Sequence, residues 1–278
     1  MTPELRYSDK YRRIFAEIVP RFQLLEIDPI FKEIGYAPET PLTVVDVGAN
    51  GGIWSLALLH HSGPWVDKIH MFEPMEGNLA AIRDVMKDGL YGEHADKLVI
   101  NEYALSESKG SVEIHFESDV TGLASIDSAT AHFPMRNIQL ERTRAIQTDR
   151  LDTYCAENGI ETIDILKIDV EGHELSVLKG AENLLREKRI RAVAYEIGPH
   201  QMARRDFYKD FFEFFNQYGY TNLRYREPGW KALPIPEYRS SLEQFDNVCM
   251  RMATCLDGRQ ETPIKESARS WPEPMKGR

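Results

Sequence analysis

Apolar residues recur along this chain in two alternating rhythms. TVVDV (43–47), KIHMFEP (68–74), KLVINEYAL (97–105), ETIDILKIDV (161–170) and RAVAYEIG (191–198) are short and rich in β-branched residues, which predicts strands. IWSLALLHH (53–61), NLAAIRDVMK (78–87) and EGHELSVLKGAENLL (171–185) lie between them and predict helices. In the last of these, Leu175, Leu178, Ala181, Leu184 and Leu185 form a stripe in spite of Gly180. Strands that alternate with helices predict a parallel sheet with right-handed crossovers. SVEIHF (111–116) predicts one more short strand, whereas 117–142 has no clear period and marks a functional or mobile loop.

Phe207, Phe211, Phe214, Phe215 and Tyr218 recur at helical spacing in FYKDFFEFFNQYG (207–219), which predicts a core-packing helix closed by Gly219. A hairpin of TNLRYRE (221–227) and NVCMRM (247–252) is expected to end the fold. At the other end, Leu5, Ile14, Phe15, Ile18, Phe22, Leu25 and Phe31 among charges predict amphipathic helices interrupted at Pro20. The chain thus divides into an N-terminal helical extension (1–41), a main α/β domain (42–255) and a C-terminal tail (256–278).

Charge narrows the partners. Lys and Arg total 34 against 44 Asp and Glu, a formal net charge of -10 spread along the chain, so extended nucleic-acid or anionic-membrane surfaces are disfavoured. No apolar run approaches the roughly 20 residues that a bilayer span needs. The first thirteen residues carry charges throughout and no secretory apolar segment, so a soluble, cytoplasmic protein is expected. Cys155, Cys249 and Cys255 show no CxxC spacing, so neither zinc nor a disulfide is expected and they read as small buried hydrophobes.

The candidate chemistry sits where strands end. TVVDVGANGG (43–52) finishes a strand on Asp46 and then places Gly48, Gly51 and Gly52 around Asn50, a turn that lets a ligand approach backbone outside the sheet's carboxyl edge. The spacing is neither GxGxxG nor a phosphate loop, which favours a small polar ligand over a pyrophosphate. Asp46 is a candidate acceptor for a ligand ammonium group or a bound water; a capping aspartate is the competing reading. Glu73 closes the next strand 27 positions later, before Pro74, where a carboxylate can accept both hydroxyls of a ribose. In DILKIDVEGHE (164–174), strand alternation would aim Lys167, Asp169 and Glu171 in one direction at that edge, either as functional groups or as a structural ion pair. His173 falls at the start of the following helix.

DVGANGG, FEP, ILKIDVEGHE and the following VLKGAENLL together resemble the FkbM family of S-adenosylmethionine-dependent methyltransferases, over roughly residues 43 to 252. The resemblance implies a Rossmann-like class I methyltransferase fold, an α/β sheet of seven mostly parallel strands flanked by helices, with the last strand antiparallel. It implies S-adenosyl-L-methionine as cofactor and O-methylation of a small-molecule acceptor, a sugar or other natural product. Asp46, Gly48, Asn50, Gly51 and Gly52 would then form the loop at the methionine end, Glu73 would hold the ribose, and Ala104 would lie near the adenine. Asp169 would sit close to the transferable methyl, with Glu171 and His173 as further candidates to orient or deprotonate the acceptor hydroxyl. Two carboxylates could hold Mg²⁺; the metal-free version is favoured because Lys167 would repel a dication. A cofactor-binding sensor or assembly protein without catalysis is the alternative from another class, and an NAD-linked oxidoreductase is disfavoured by the missing GxGxxG.

Overall fold

The computed structural model describes residues 27, 30–31, 41–122, 124–126, 132–133, 138–196, 201, 204–224, 233–234 and 253–257. The first half runs β1 (Leu42–Val47), α1 (Ile53–Ser62), β2 (Val66–Phe72), α2 (Glu76–Lys87), β3 (Leu98–Asn101), β4 (Ala104–Leu105) and β5 (Gly110–Phe116). After β6 (His132–Phe133) and β7 (Ile138–Gln139) come β8 (Arg142–Asp149), α3 (Leu151–Glu157) and β9 (Ile163–Ile168). The rest comprises α4 (Glu174–Gly180), α5 (Glu182–Arg186), β10 (Ile190–Tyr195), α6 (Tyr208–Gln217), β11 (Tyr220–Arg224), β12 (Leu233–Pro234) and β13 (Ala253–Asp257).

The main sheet has the order β12-β11-β13-β10-β9-β1-β2-β3. The five strands from β10 to β3 are parallel, and β13 runs antiparallel between β10 and β11. The expected seven strands are therefore present with their antiparallel last strand, and the two-residue β12 adds an eighth at the edge. Central strands are apolar on both sides because both faces are covered. Val44 and Ile165 enter a core with Leu58, Ile82 and Val85 of α1 and α2, while Val45 and Leu166 enter the opposite core with Leu178, Leu184 and Phe215. Cys155 is buried in the second core, as a small hydrophobe should be.

Several elements depart from the pattern. KLVINEYAL is two strands: β3 joins the main sheet, and β4 leaves it for a three-stranded sheet of order β4-β8-β5. The helix expected over 171–185 starts only at Glu174 and breaks at Ala181, where Asp152 of α3 accepts hydrogen bonds from Asn183 N (3.2 Å) and Leu184 N (3.1 Å) and so caps a new helix. Pattern assigned no element to β8 and α3; β8 (RTRAIQTD) is polar and half-exposed except around the buried Ile146, which carries little hydrophobic signal. Of the five stripe aromatics, Phe211 and Phe215 are buried and Phe207 is exposed, while Phe212, outside the stripe, is buried. The hairpin partner of β11 is β13, later than expected; residues 247–252, including Cys249, lie outside the described residues. So do the N-terminal helices apart from Ile27, Ile30 and Phe31, which are buried against the α1 and α2 side, and the tail beyond 257.

One charged contact locks the middle of the sheet. Lys167 of β9, 4% exposed, places its Nζ 3.0 Å from Asp46 Oδ1 on β1 and donates to Gly48 O at 2.8 Å. Ser55 of α1 donates to the other Asp46 oxygen at 2.7 Å. Removing one partner of a buried pair strands the other charge in a low dielectric. Lys167→Met is accordingly expected to lower unfolding free energy by about 3–5 kcal/mol. The cost should be smaller when Lys167→Met is made in an Asp46→Asn background. Urea unfolding of the three variants measures both values, and equal losses in the two backgrounds would remove the ion pair from this role.

Candidate functional site

β1 ends at Val47, and the chain turns with positive φ at Gly48 (72°), Asn50 (51°) and Gly52 (78°). Gly48 is required there for a second reason: a Cβ would stand 1.9 Å from Asp169 O, so only glycine lets this turn meet the turn after β9. Gly48 N and Ala49 N both donate to Phe72 O, which carries the turn onto the end of β2. Asn50 Oδ1 accepts from Gly51 N at 2.6 Å, and Asn50 N donates to Glu73 Oε2 at 2.8 Å.

Glu73 is thus drawn in from the next strand end. Its Oε1 accepts from Met75 N at 2.8 Å, and the residue is buried. Burial pushes its carboxyl up to about 7, against the opposing pull of the Met75 and Asn50 amides, the Asn78 side chain and the Lys167 charge. Each carboxylate oxygen can accept more than one hydrogen bond, so two backbone donors leave acceptor capacity for a ligand.

These residues wall a pocket of about 640 Å³, its open mouth included. Of the residues expected at a site, Gly48, Asn50, Glu73, Ala104, Asp169, Glu171 and His173 line it together. Asp46, Gly51 and Gly52 do not. Asp46 is a correction: fully buried behind the turn, it has its oxygens occupied by Lys167 and Ser55, so it shapes the pocket without facing it. Gly52 caps the start of α1, and its carbonyl accepts from the Tyr91 hydroxyl at 3.2 Å. The apolar lining comes from Phe72, Met75, Leu105, Ile114 and Ile126.

The far wall is the turn from Asp169 to His173. Strand alternation does not aim these side chains, because β9 ends at Ile168 and Glu171 already has φ 53°. A residue that the sequence reading passed over holds the turn. Glu174, fully buried at the start of α4, accepts from Val170 N (3.1 Å) and Gly172 N (3.2 Å) through Oε1 and from Gln201 Nε2 (2.6 Å) through Oε2. Burial raises its carboxyl to about 7. Its only sequence signal was an acid at a helix N-terminus, where the dipole favours one.

Glu196, just past β10, completes a cluster in which Asp169, Glu171 and Glu196 bring carboxylate oxygens within 4.8 Å of one another. Burial, then the neighbouring Asp169 charge, pushes the Glu196 carboxyl far up, so it retains its proton and shares it with Asp169. Lys167 Nζ stands 3.7 Å from Asp169 Oδ2. Oxygen ligands of this kind suit a hard divalent cation, and a proton on Glu196 with the Lys167 ammonium, which also faces Asp46, offsets part of the same charge.

His173 differs from the expectation most. Arg204 Nη1 donates to its Nδ1 at 2.7 Å, and its Nε2 lies 3.0 Å from Ser106 Oγ. A guanidinium has no acceptor, so Nδ1 carries the lone pair and Nε2 the hydrogen. The one basic nitrogen is already engaged, which argues against His173 as the base for an acceptor hydroxyl.

A sequence family described as Methyltransferase FkbM domain matches residues 46–221, more than half of the chain. The chain is 32% identical over 177 residues to the 31-O-demethyl-FK506 methyltransferase FkbM of Streptomyces tacrolimicus, covering 55% of this chain and 64% of that protein. It is 26% identical over 155 residues to the 2-O-methyltransferase NoeI of Sinorhizobium fredii, covering 52% of this chain and 60% of the relative. The match therefore spans less than two thirds of either relative. Among solved structures, Methyltransferase FkbM from Methylobacillus flagellatus KT aligns with a TM-score of 0.48 at 17% identity, covering 80% of this chain and 44% of that one. No helix among the described residues is long and apolar enough to cross a membrane.

The buried acids give the fold a pH dependence of definite sign. Glu73 and Glu174 have folded values near 7, above the unfolded 4.5, so their contribution is fully present below about pH 4.5 and is lost as pH rises through 7. The melting temperature should fall between pH about 5 and about 8, and Glu174→Gln should flatten that slope. Calorimetry across the range tests it; a melting temperature that rises over the window in the wild-type chain contradicts the assignment.

Proposed function

The chain belongs to the FkbM methyltransferase family, and from that premise we propose that it transfers a methyl group from S-adenosyl-L-methionine to a hydroxyl of a sugar or other small natural-product acceptor. The supporting observation is the convergence on one pocket of a glycine turn, a buried carboxylate at the neighbouring strand end and an acidic turn opposite them. The relatives' names specify methylation at oxygen, and that chemistry comes to this chain as part of the proposal.

The donor set fits the cofactor. Glu73 offers acceptor capacity to a ribose diol, the Gly48–Gly52 turn brings backbone to the amino-acid end, and Ala104 with Leu105 offers a flat apolar surface for a base. Bound S-adenosyl-L-methionine supplies a methyl on a positively charged sulfur, and its transfer leaves a neutral thioether. Asp169, with a side chain 38% exposed, is the group placed to orient the acceptor hydroxyl and take its proton as the new oxygen–carbon bond forms. The protonated Glu196 and the Lys167 ammonium hold Asp169 in place from behind. Glu171 shares this acidic wall, and His173 positions the turn through Arg204 and Ser106. The reaction proposed has Asp169 take the proton directly; a divalent cation held by Asp169, Glu171 and Glu196 is the competing reading that chelation tests.

S-adenosylhomocysteine at 100 times its dissociation constant should stabilise the protein by about 2.7 kcal/mol, a melting shift of about 5 °C. Asp169→Asn should keep that shift and lower turnover on a hydroxylated acceptor by about 10²-fold or more, with wild-type turnover unaffected by EDTA. No shift with either cofactor form, beside a clear shift with NAD, would overturn the assignment. Activity lost in EDTA and restored by Mg²⁺ would give the acidic cluster to a metal.

A further inference from the structure

Residues 118–122 and 124–126 cross the pocket as a strap fastened on three sides. Against α2, the strap lies so close that a Cβ on Gly77 would come within 2.0 Å of Asp119 O. Beside the glycine turn, a Cβ on Gly122 would meet Asn50 Nδ2 at 3.1 Å. At the far end, Ser125 exchanges both backbone hydrogen bonds with His115 of β5 (2.7 and 2.9 Å), and its hydroxyl donates to Glu171 O at 3.0 Å. Thr121, Gly122, Ala124 and Ile126 line the pocket from this strap.

Asn78, in the first turn of α2, joins the strap to the binding carboxylate. It is 2% exposed and lines the pocket. Its Nδ2 donates to Thr121 O at 2.9 Å, and its Oδ1 accepts from Thr121 N at 3.1 Å, so one side chain engages both polar backbone atoms of a buried loop residue. The same amide faces Glu73 and favours that carboxyl's ionised form. We propose that Asn78 is a positioning residue for the cofactor, holding the strap across the nucleoside end of the pocket and presenting the Glu73 carboxylate to the ribose hydroxyls. The inference rests on the reading of the site as an S-adenosyl-L-methionine pocket.

Occupancy and charge are coupled here. A ribose diol donates to an ionised Glu73, so binding should strengthen as Glu73 loses its proton. The groups that favour ionisation are the Asn50 and Met75 amides, the Asn78 side chain and, as the charged group, Lys167 of β9. Removing Asn78 subtracts one of them and takes both of these hydrogen bonds from Thr121, whereas Asn78→Asp keeps the acceptor for Thr121 N, loses the donors and adds a like charge beside Glu73.

The test is S-adenosylhomocysteine affinity and release rate on the full chain, across pH about 5.5 to 9. Wild-type affinity should climb by up to about tenfold per pH unit below a midpoint near neutrality and level off above it, and Glu73→Gln should abolish the climb. Asn78→Ala and the near-isosteric Asn78→Asp should release the ligand about tenfold faster at neutral pH and move the midpoint upward. In the wild-type chain, hydrogen exchange of residues 118–126 should slow on binding. A merely structural Asn78 would lower stability without moving the midpoint. Wild-type binding with the midpoint unmoved in both variants, or with exchange of the strap unchanged, overturns this role alone. Failure of the wild-type chain to bind S-adenosylhomocysteine at any pH overturns the proposed function and this role with it.

Discussion

A single ammonium group at the centre of the sheet fixes where everything else in the site can stand. Lys167 is nearly without solvent, so its charge is tolerable only where the protein replaces water with an anion and carbonyls. Asp46 and Gly48 O supply them from the adjacent strand. That requirement ties the end of β9 to the end of β1 and brings their turns into contact at Gly48 and Asp169 O. The glycine turn in turn donates to Phe72 O at the end of β2, so three strand ends are levelled along one edge. The pocket is the space left between those turns, and a ligand in it meets backbone from one side and carboxyls from the other.

Those carboxyls are held in an unusual state for surface-edge acids. Glu73, Glu174 and Glu196 are all pushed upward by burial, yet each is placed to answer a different demand. Glu174 is spent entirely on the protein, its oxygens closing the turn that carries Asp169 to His173. Glu196 keeps its proton and thereby spares Asp169 a second adjacent charge. Glu73 alone retains acceptor capacity toward the cavity with its value near neutrality, so a ligand that brings hydrogen-bond donors can set its charge. For Glu73 the cost of burying a carboxylate is offset where a ligand brings hydrogen-bond donors.

What the sequence made legible follows from local rules. Glycines after a strand, an acid at the next strand end and an acidic string after a third strand all reflect constraints that act within a few residues, and these sites do meet in one pocket. The Asp169 to His173 turn reached it for a different reason than alternation, because Glu171 leaves the extended region altogether. Asp46 misled because a strand-end aspartate looks alike whether it faces a ligand or a buried lysine 121 positions later. Asn78 and Thr121 left no trace, since their pairing joins a helix to a segment with no hydrophobic period. Long-range polar satisfaction imposes no repeat on the sequence, and only packing reveals it.

The arrangement around His173 bears on what kind of catalyst this site can be. Arg204 can only donate, so the imidazole's lone pair is committed inside the protein, and its N–H is directed at Ser106. In the proposed reaction, proton acceptance near the acceptor then falls to the Asp169 carboxylate. An activated methyl on sulfur needs an aligned oxygen more than a strongly basic one, and the proton can leave as bonding to carbon develops. Rate must therefore come chiefly from geometry. The rigid levelling of strand ends by Lys167, the stitching of the acidic turn by Glu174 and the tethering of the strap by Asn78 all serve alignment, each with a buried polar group whose partners fix its direction.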